Sequence, residues 1–194
     1  MTEPTTRDRI LAAAREVLAE RGLAAATMQE IRRRAGVSNG SLFHFFPTKE
    51  AISAAVYLEA IAAYQGGMVS LLSDDVDAET TVRRLVRYHL EWTIANRGTA
   101  RFLLELGHPA RGEALAEQVA AANREFRDAL ERWLHRMVAQ SRLRPCPVDV
   151  AIACLIGPAQ LICRGWLVRA EGESPLHLAD ALEQAAWDSL RANR

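Results

Sequence analysis

The chain has no surplus of charge of either sign: 24 Lys and Arg balance 24 Asp and Glu over 194 residues, a formal net charge of +0 at pH 7. This excludes a protein that holds a polyanion through a bulk basic field, so any nucleic-acid contact must depend on where the positive residues sit. Cysteine is scarce. Cys146, Cys154 and Cys163 are odd in number and form no C-x-x-C pair, which argues against a disulfide framework or a metal-type spacing. No secretory pattern precedes the first helix, and reduced thiols in a cytoplasm are the expectation. Cys154 and Cys163 sit in an apolar helical stretch and read as core, whereas Cys146, between Pro145 and Pro147, reads as the exposed one. Runs of β-branched residues are lacking, and Gly and Pro are sparse inside the periodic segments, which leaves an all-α protein. Ser or Cys nucleophile motifs and Gly-rich phosphate loops are lacking too. Glu105 and His108 have the E-x-x-H spacing of a helical di-iron site, but as a single copy broken by Gly107 and Pro109. No catalysis, metal or cofactor is expected.

What is present is concentrated between Thr27 and Lys49, in TMQEIRRRAGVSNGSLFHFFPTK. Thr27 followed three residues later by Glu30 predicts a capping box and a helix start. Met28, Ile31 and Ala35 give that helix one apolar face, and Gly36 stops it. Ser38 caps the next helix, on which Leu42, Phe45 and Phe46 recur at i, i+3 and i+4 and are expected to face inward. The opposite face carries Asn39, Gly40, Phe43 and His44. An aromatic beside a His and small polar residues is an odd face for solvent and a good one for a DNA groove. A short helix, a tight turn and a second helix that presents side chains is the helix-turn-helix arrangement. Arg21, Arg32, Arg33, Arg34 and Lys49 gather at this end, while Asp74, Asp75, Asp77 and Glu79 lie well outside it.

At 194 residues and 49% hydrophobic, the chain exceeds a lone DNA-binding motif of about 50–60 residues and can bury a second core. The stripe Ile10, Leu11, Ala14, Val17 and Leu18 marks helix one, which Gly22 ends. About nine helices are expected, in a helix-turn-helix domain over 1–50 and a larger helical domain over 51–194. Thr48 caps helix four, which runs toward Gly66-Gly67 and belongs to both halves. Arg97-Gly98 ends the fifth helix, and the longest runs from about Gly112 to Ser141. The segment VDVAIACLIGPAQLICRGWLV is apolar almost all round and must be buried on several sides. It is too short to cross a bilayer between Asp149 and Arg164, and Gly157-Pro158 interrupts it. Ser174 and Pro175 open the last helix. Together the two terminal helices carry more apolar surface than one subunit can cover, which predicts a two-fold homodimer, with Leu155, Gln160, Leu161, Leu178, Leu182 and Trp187 as candidate interface residues.

The run GVSNGSLFHFFPTKEA resembles the N-terminal domain of the tetracycline-repressor (TetR) family of transcriptional regulators, and RDRILAAAREVLAERGLAAATMQEIRRRAG before it fits the same pattern. The resemblance covers roughly the first quarter to third of the chain. It implies a sequence-specific DNA-binding regulator, most simply a repressor, that meets a palindromic double-stranded operator as a homodimer. By that likeness Thr27 and Ser38 bring hydroxyls and free backbone N–H groups to phosphate, and Lys49 pairs with another phosphate. Asn39 and Gly40 stand nearest the base edges, flanked by Ser41, Phe43 and His44. Many relatives carry a basic residue in place of Asn39 and Tyr in place of Phe43. The likeness also implies a small-molecule effector held among the central helices, whose binding shifts the spacing of the two recognition helices. Tyr64, Met68, Tyr88, His89 and Trp92 are candidate pocket residues, as are Phe102, Phe126, Trp133 and Trp166. Few charges lie near them, so an apolar or aromatic effector is expected. The rival readings are an enzyme, a helical interaction module without DNA binding, and a redox-sensing regulator using Cys146.

Overall fold

A computed structural model describes residues 3–106, 113–169 and 172–192. Among them are nine α-helices, one 3-10 turn and no strand. Two compact units divide the chain: 1–62 with 97–119, and 63–96 with 120–194.

In the first unit, α1 (Thr6–Ala25) begins with a reciprocal capping box, Thr5 and Asp8 each bonding the other's backbone N–H. Gly22, at φ 73°, breaks the regular path before one further turn closes at Ala25, so the helix bends where its end was expected. Helix α2 (Met28–Ala35) starts at Thr27, whose hydroxyl accepts the Glu30 amide at 3.2 Å. Only half of the expected box forms, because the Glu30 carboxylate turns to Arg33 instead. Gly36, at φ 64° and ψ 40°, takes the left-handed conformation that ends α2. Helix α3 (Asn39–Phe45) follows, then α4 (Lys49–Ser70), opened by the Thr48 hydroxyl on the Ala51 amide at 3.1 Å.

Ile10, Leu11, Ala14, Val17, Leu18, Ile31, Leu42, Phe46, Ile52 and Val56 form the core of this unit. Helix α6 (Arg97–Leu106) joins it by packing along α1. Gly98 is the reason they come so close: a Cβ there would stand 2.6 Å from the Ala19 carbonyl oxygen. Its expected role as a stop signal is therefore secondary to this contact. Arg101 donates to the Ala19 carbonyl (3.2 Å), and the Glu105 carboxylate accepts the Leu23 amide (2.9 Å) just past the bend at Gly22. Both bonds satisfy backbone groups that a helix end otherwise leaves to water. Phe102, 1% exposed, fills this same core, which corrects its assignment to a pocket with the aromatic residues of the second unit.

The second unit holds α5 (Ala78–Ala95), capped by Asp77, the bulk of α7 (Glu113–Ala139), α8 (Val148–Val168) and α9 (Ala179–Leu190) after the Pro175–Leu178 turn. Val82, Leu85, Val86 and Leu90 of α5 share a core with Leu130, Trp133, Leu134 and Met137 of α7 and with Ala151, Leu155, Ala159 and Cys163 of α8. The helix α8 runs unbroken through Gly157-Pro158. It is the one helix among those described long and apolar enough to cross a bilayer, yet one side packs on α5 and α9. Its other side carries exposed apolar residues: Leu161 is 71% exposed and Val168 80%. Leu155, 2% exposed, is core rather than interface, which corrects its placement among the dimer residues.

Candidate nucleic-acid interface

The turn between α2 and α3 is held from both ends. Gly36 supplies the left-handed joint, and the Arg9 guanidinium donates to the carbonyls of Ala35 (2.9 Å) and Gly36 (2.8 Å), tying it to α1. At the start of α3 the Ser38 hydroxyl accepts the Ser41 amide at 3.1 Å and lies 3.0 Å from the Ser41 hydroxyl. Leu42, 1% exposed, anchors the helix in the core. That single anchor fixes which face looks out: Ser38, Asn39, Gly40, Phe43 and His44 are exposed, and Ser41 is half-buried. Phe43 keeps 50% of its surface in water.

Of the trio predicted to face inward, Leu42 and Phe46 do so and Phe45 does not. Phe45 is 40% exposed, its ring edge-on to His44 at 5.1 Å between centroids. The helix ends at Phe45, and Phe46 leaves it in an extended conformation (φ −137°, ψ 94°) that swings its ring inward under Arg7, 5.6 Å above the ring centre. Three aromatic or imidazole side chains, Phe43, His44 and Phe45, thus stand in solvent on one short helix. Thr27 is exposed as well. Lys49 is half-buried and its ammonium donates to the Ala24 carbonyl at 3.2 Å.

The basic residues do not present one open positive surface. Glu30 receives Arg33 at 2.7 Å, Arg34 at 3.4 Å and Arg21 at 3.8 Å, and Arg34 also reaches Glu20 at 2.7 Å. The Arg33 hydrogen bond holds the Glu30 carboxyl below its ordinary range, and that of Arg34 does the same for Glu20. Much of the expected positive patch is therefore neutralised within the unit, and Arg9 and Arg7, absent from it, are spent on the turn and on Phe46.

In the second unit the candidate pocket residues separate into two groups. Met68, Phe126 and Trp133 are packed into the core, the Trp133 indole donating to the Ser73 carbonyl at 3.3 Å. Tyr64, Tyr88, His89 and Trp92 form one cluster: the Tyr64 ring meets Trp92 at 5.0 Å, His89 at 5.8 Å and Tyr88 at 6.0 Å. The Tyr64 hydroxyl is 2.8 Å from His89 Nδ1, and burial pushes the imidazole pKa down to about 4 and the Tyr64 phenol upward. Trp166 is half-buried on α8. Gln160 is exposed, and Leu178, Leu182 and Trp187 are half-buried. His108 lies outside the described residues, and among those described no cluster of His, Cys, Asp or Glu is set to hold a metal. Cys146 is half-buried against the second core rather than exposed.

The segment that builds this turn is also one that known regulators share. The pattern of "Bacterial regulatory proteins, tetR family" matches residues 10–56, which span α1 to the first turns of α4. The transcriptional repressor Rv1474c of Mycobacterium tuberculosis is 30% identical over 186 residues, 91% of this chain and 89% of that protein. The repressor KstR2 of Rhodococcus jostii is 28% identical, over 76% of this chain and 72% of its own. The structure of the regulator FadR of Bacillus subtilis in complex with stearoyl-CoA superposes at a TM-score of 0.77 and 16% identity, covering 93% of this chain and 97% of that one. An identity that low speaks for the fold alone, whereas the repressor match extends along nearly the whole chain. The chain belongs to the TetR family and is a DNA-binding transcriptional regulator.

Proposed function

We propose that this protein is a cytoplasmic repressor that binds a palindromic operator as a two-fold homodimer and is released from it by an apolar or aromatic small molecule. The observation that carries the reading is the outward face of α3, where Asn39, Gly40, Phe43 and His44 stand in solvent while Leu42 pins the helix in the core. Residues 1–50 form the reading head, and residues 51–194 sense and dimerise. Asn39 offers a bidentate amide to adenine, Gly40 lets the backbone approach, and Phe43 gives thymine methyl or sugar an apolar contact. The hydroxyls of Thr27, Ser38 and Ser41, together with His44 and Lys49, position the helix on the phosphates. Two such helices one DNA turn apart, about 34–36 Å, match a palindrome. The exposed side of α8, with Leu161 and its neighbour Gln160, supports pairing of two copies along α8 and α9, where Leu178, Leu182 and Trp187 are only half-buried. The aromatic cluster of the second unit supports an effector with an apolar body, and so does the acyl-CoA bound by the FadR relative.

The test is selection of bound duplexes from a random pool, followed by gel shifts across a salt series. Asn39→Ala is expected to change which duplexes are selected. Lys49→Ala weakens all duplexes alike and lowers the salt slope by about one. Retention of the parent's selected sequence and salt slope by both variants removes α3 from the groove.

A further inference from the structure

Three buried atoms of the second unit have no hydrogen-bond partner among the described residues, Thr81 Oγ1, Glu183 Oε1 (ion-paired with Arg87) and His89 Nε2, and of these His89 is the one in ring contact with Tyr64. It is 8% exposed, and its Nε2 has no hydrogen-bond partner. Its other nitrogen, Nδ1, is 2.8 Å from the Tyr64 hydroxyl. Two proton placements satisfy that contact. If Nδ1–H donates to the phenol oxygen, the phenolic hydrogen and the Nε2 lone pair are both left without partners among the described contacts. If the phenol donates to Nδ1, a single group is left over, an Nε2–H donor. Burial favours the placement with fewer orphans, since each costs its lost hydration. What the interior lacks at this point is therefore an acceptor.

The surroundings specify the rest of such a partner. Tyr64, Tyr88 and Trp92 are half-buried, so the cluster of rings reaches from the core to the surface. Tyr88 lies across α4 because residue 67 is glycine; a Cβ there would collide with its hydroxyl, which donates to the Tyr64 carbonyl at 3.2 Å. The cations of α5 turn elsewhere: Arg83 pairs with Glu79, Arg87 with Asp180 and Glu183, and Arg84 is exposed. On α8, Arg164 is exposed too. An anionic oxygen drawn to Nε2 would leave water for one neutral N–H. An uncharged one gives up far less.

Resting on the effector reading above, we propose that the Tyr64–His89 pair is the polar anchor of the effector site and that its ligand is an uncharged ring compound presenting a carbonyl oxygen to His89 Nε2. The phenol of Tyr64 fixes the imidazole tautomer, so that Nε2 is a donor only, and the rings of Tyr88 and Trp92 hold the body of the molecule.

The experiment uses the full chain and three probes sharing one ring system: 2-acetylnaphthalene, 2-ethylnaphthalene and 2-naphthoate, each followed by equilibrium dialysis. The ketone should bind about tenfold tighter than the hydrocarbon, the worth of one neutral hydrogen bond, and tighter than the acid. His89→Phe should abolish the ketone's advantage while leaving the hydrocarbon within about twofold. Nitrogen-15 spectra of the histidine-labelled parent, which need no variant to fold, should show a protonated Nε2 whose signal moves when the ketone is added. Equal affinity for ketone and hydrocarbon, preference for the acid, absence of saturable binding by all three, or a bare Nε2 overturns the proposal. A separate screen for release of operator DNA separates the two levels. A compound that releases DNA from His89→Phe as well as from the parent leaves the repressor reading standing and removes His89 from it. Failure of every compound to release the parent removes the effector reading itself.

Discussion

Among the described residues the first unit buries a single polar side chain, Ser53, whereas the second buries five, Gln65, Thr81, His89, Thr93 and Glu183. Around α2 and α3 the hydroxyls cap helix ends, the carboxylates hold guanidiniums, and what is left inside is Ile, Leu, Val, Ala and Phe. In the second unit Thr81, His89, Thr93 and Glu183 are buried, and Gln65 bonds Asn123 across 2.7 Å. A core with few buried polar groups folds to one shape with little cost in desolvation, which suits a head that must present α3 at a fixed angle. A polar core is costlier, and the cost is justified where a ligand completes the hydrogen bonds. On the proposed reading the two interiors serve different ends: the first unit holds α3 still, and the second, with the larger share of buried polar groups, takes the effector.

The largest effect that sharpens this contrast is expected at Trp133, which is fully buried in the second core. Trp133→Ala should cost about 3–5 kcal/mol and lower the melting temperature by roughly 10 °C. It also strands the Ser73 carbonyl that the indole now satisfies. Calorimetry of the full chain checks this; a loss under about 1 kcal/mol would mean that the second core closes around the gap and is less fixed than its packing implies.

Next in size is a pH effect confined to the second unit. His89 is held neutral, its pKa pushed from 6.5 to about 4 by burial, so the unfolded chain binds its proton more readily than the folded one. Stability is then unaffected above about pH 6.5 and falls by about 1.4 kcal/mol per unit as pH drops toward 4, about 3 kcal/mol in all. The Tyr64 and Tyr88 phenols and the Cys163 thiol of the same core have pKa values pushed up by burial and do not titrate in this window. Asp8 and Asp77, the helix-capping carboxylates, lie below their ordinary 3.8 and lose their contribution only at lower pH. Denaturant titrations at pH 7 and pH 5 should show a loss in the parent that His89→Phe lacks. Equal losses in both would place the acid sensitivity elsewhere.

Local and distant contacts differ in how far the sequence foretold them, in both units. Gly36, Ser38, Thr48 and Asp77 act locally, each on a backbone group within a few residues, so α2 to α5 start and stop where those residues say. Contacts between distant residues leave no such trace. Arg9 on the Gly36 carbonyl, Glu105 on the Leu23 amide and Tyr64 on His89 join residues 25 or more apart. Cys146 misled for the same reason: its Pro-flanked loop is pinned by the Arg144 amide on the Leu190 carbonyl at 2.9 Å, which draws it toward α9. The candidate pocket residues mixed Phe102 with those of the other unit because hydrophobicity marks burial without saying in which core.

The smallest effects are expected at the exposed Phe43 and Phe45, with the buried Phe46 beside them setting the scale. Helical spacing assigned Phe45 and Phe46 to the same inner face, but that spacing holds only while the chain is helical, and α3 stops between them. Phe46 is 5% exposed, Phe45 40% and Phe43 50%. Phe46→Ala should therefore cost about 3–5 kcal/mol, as a core aromatic does. Phe43→Ala and Phe45→Ala should each cost much less, about 1 kcal/mol or under, because 50% and 40% of their surface already faces water. Measured side by side in one denaturant series, a cost near that of Phe46 at either exposed position would mean that its ring packs inward in solution. A small cost at both, with Phe46 costly, leaves two aromatic rings that contribute little to holding the fold, and a role for them must then be sought in what α3 touches.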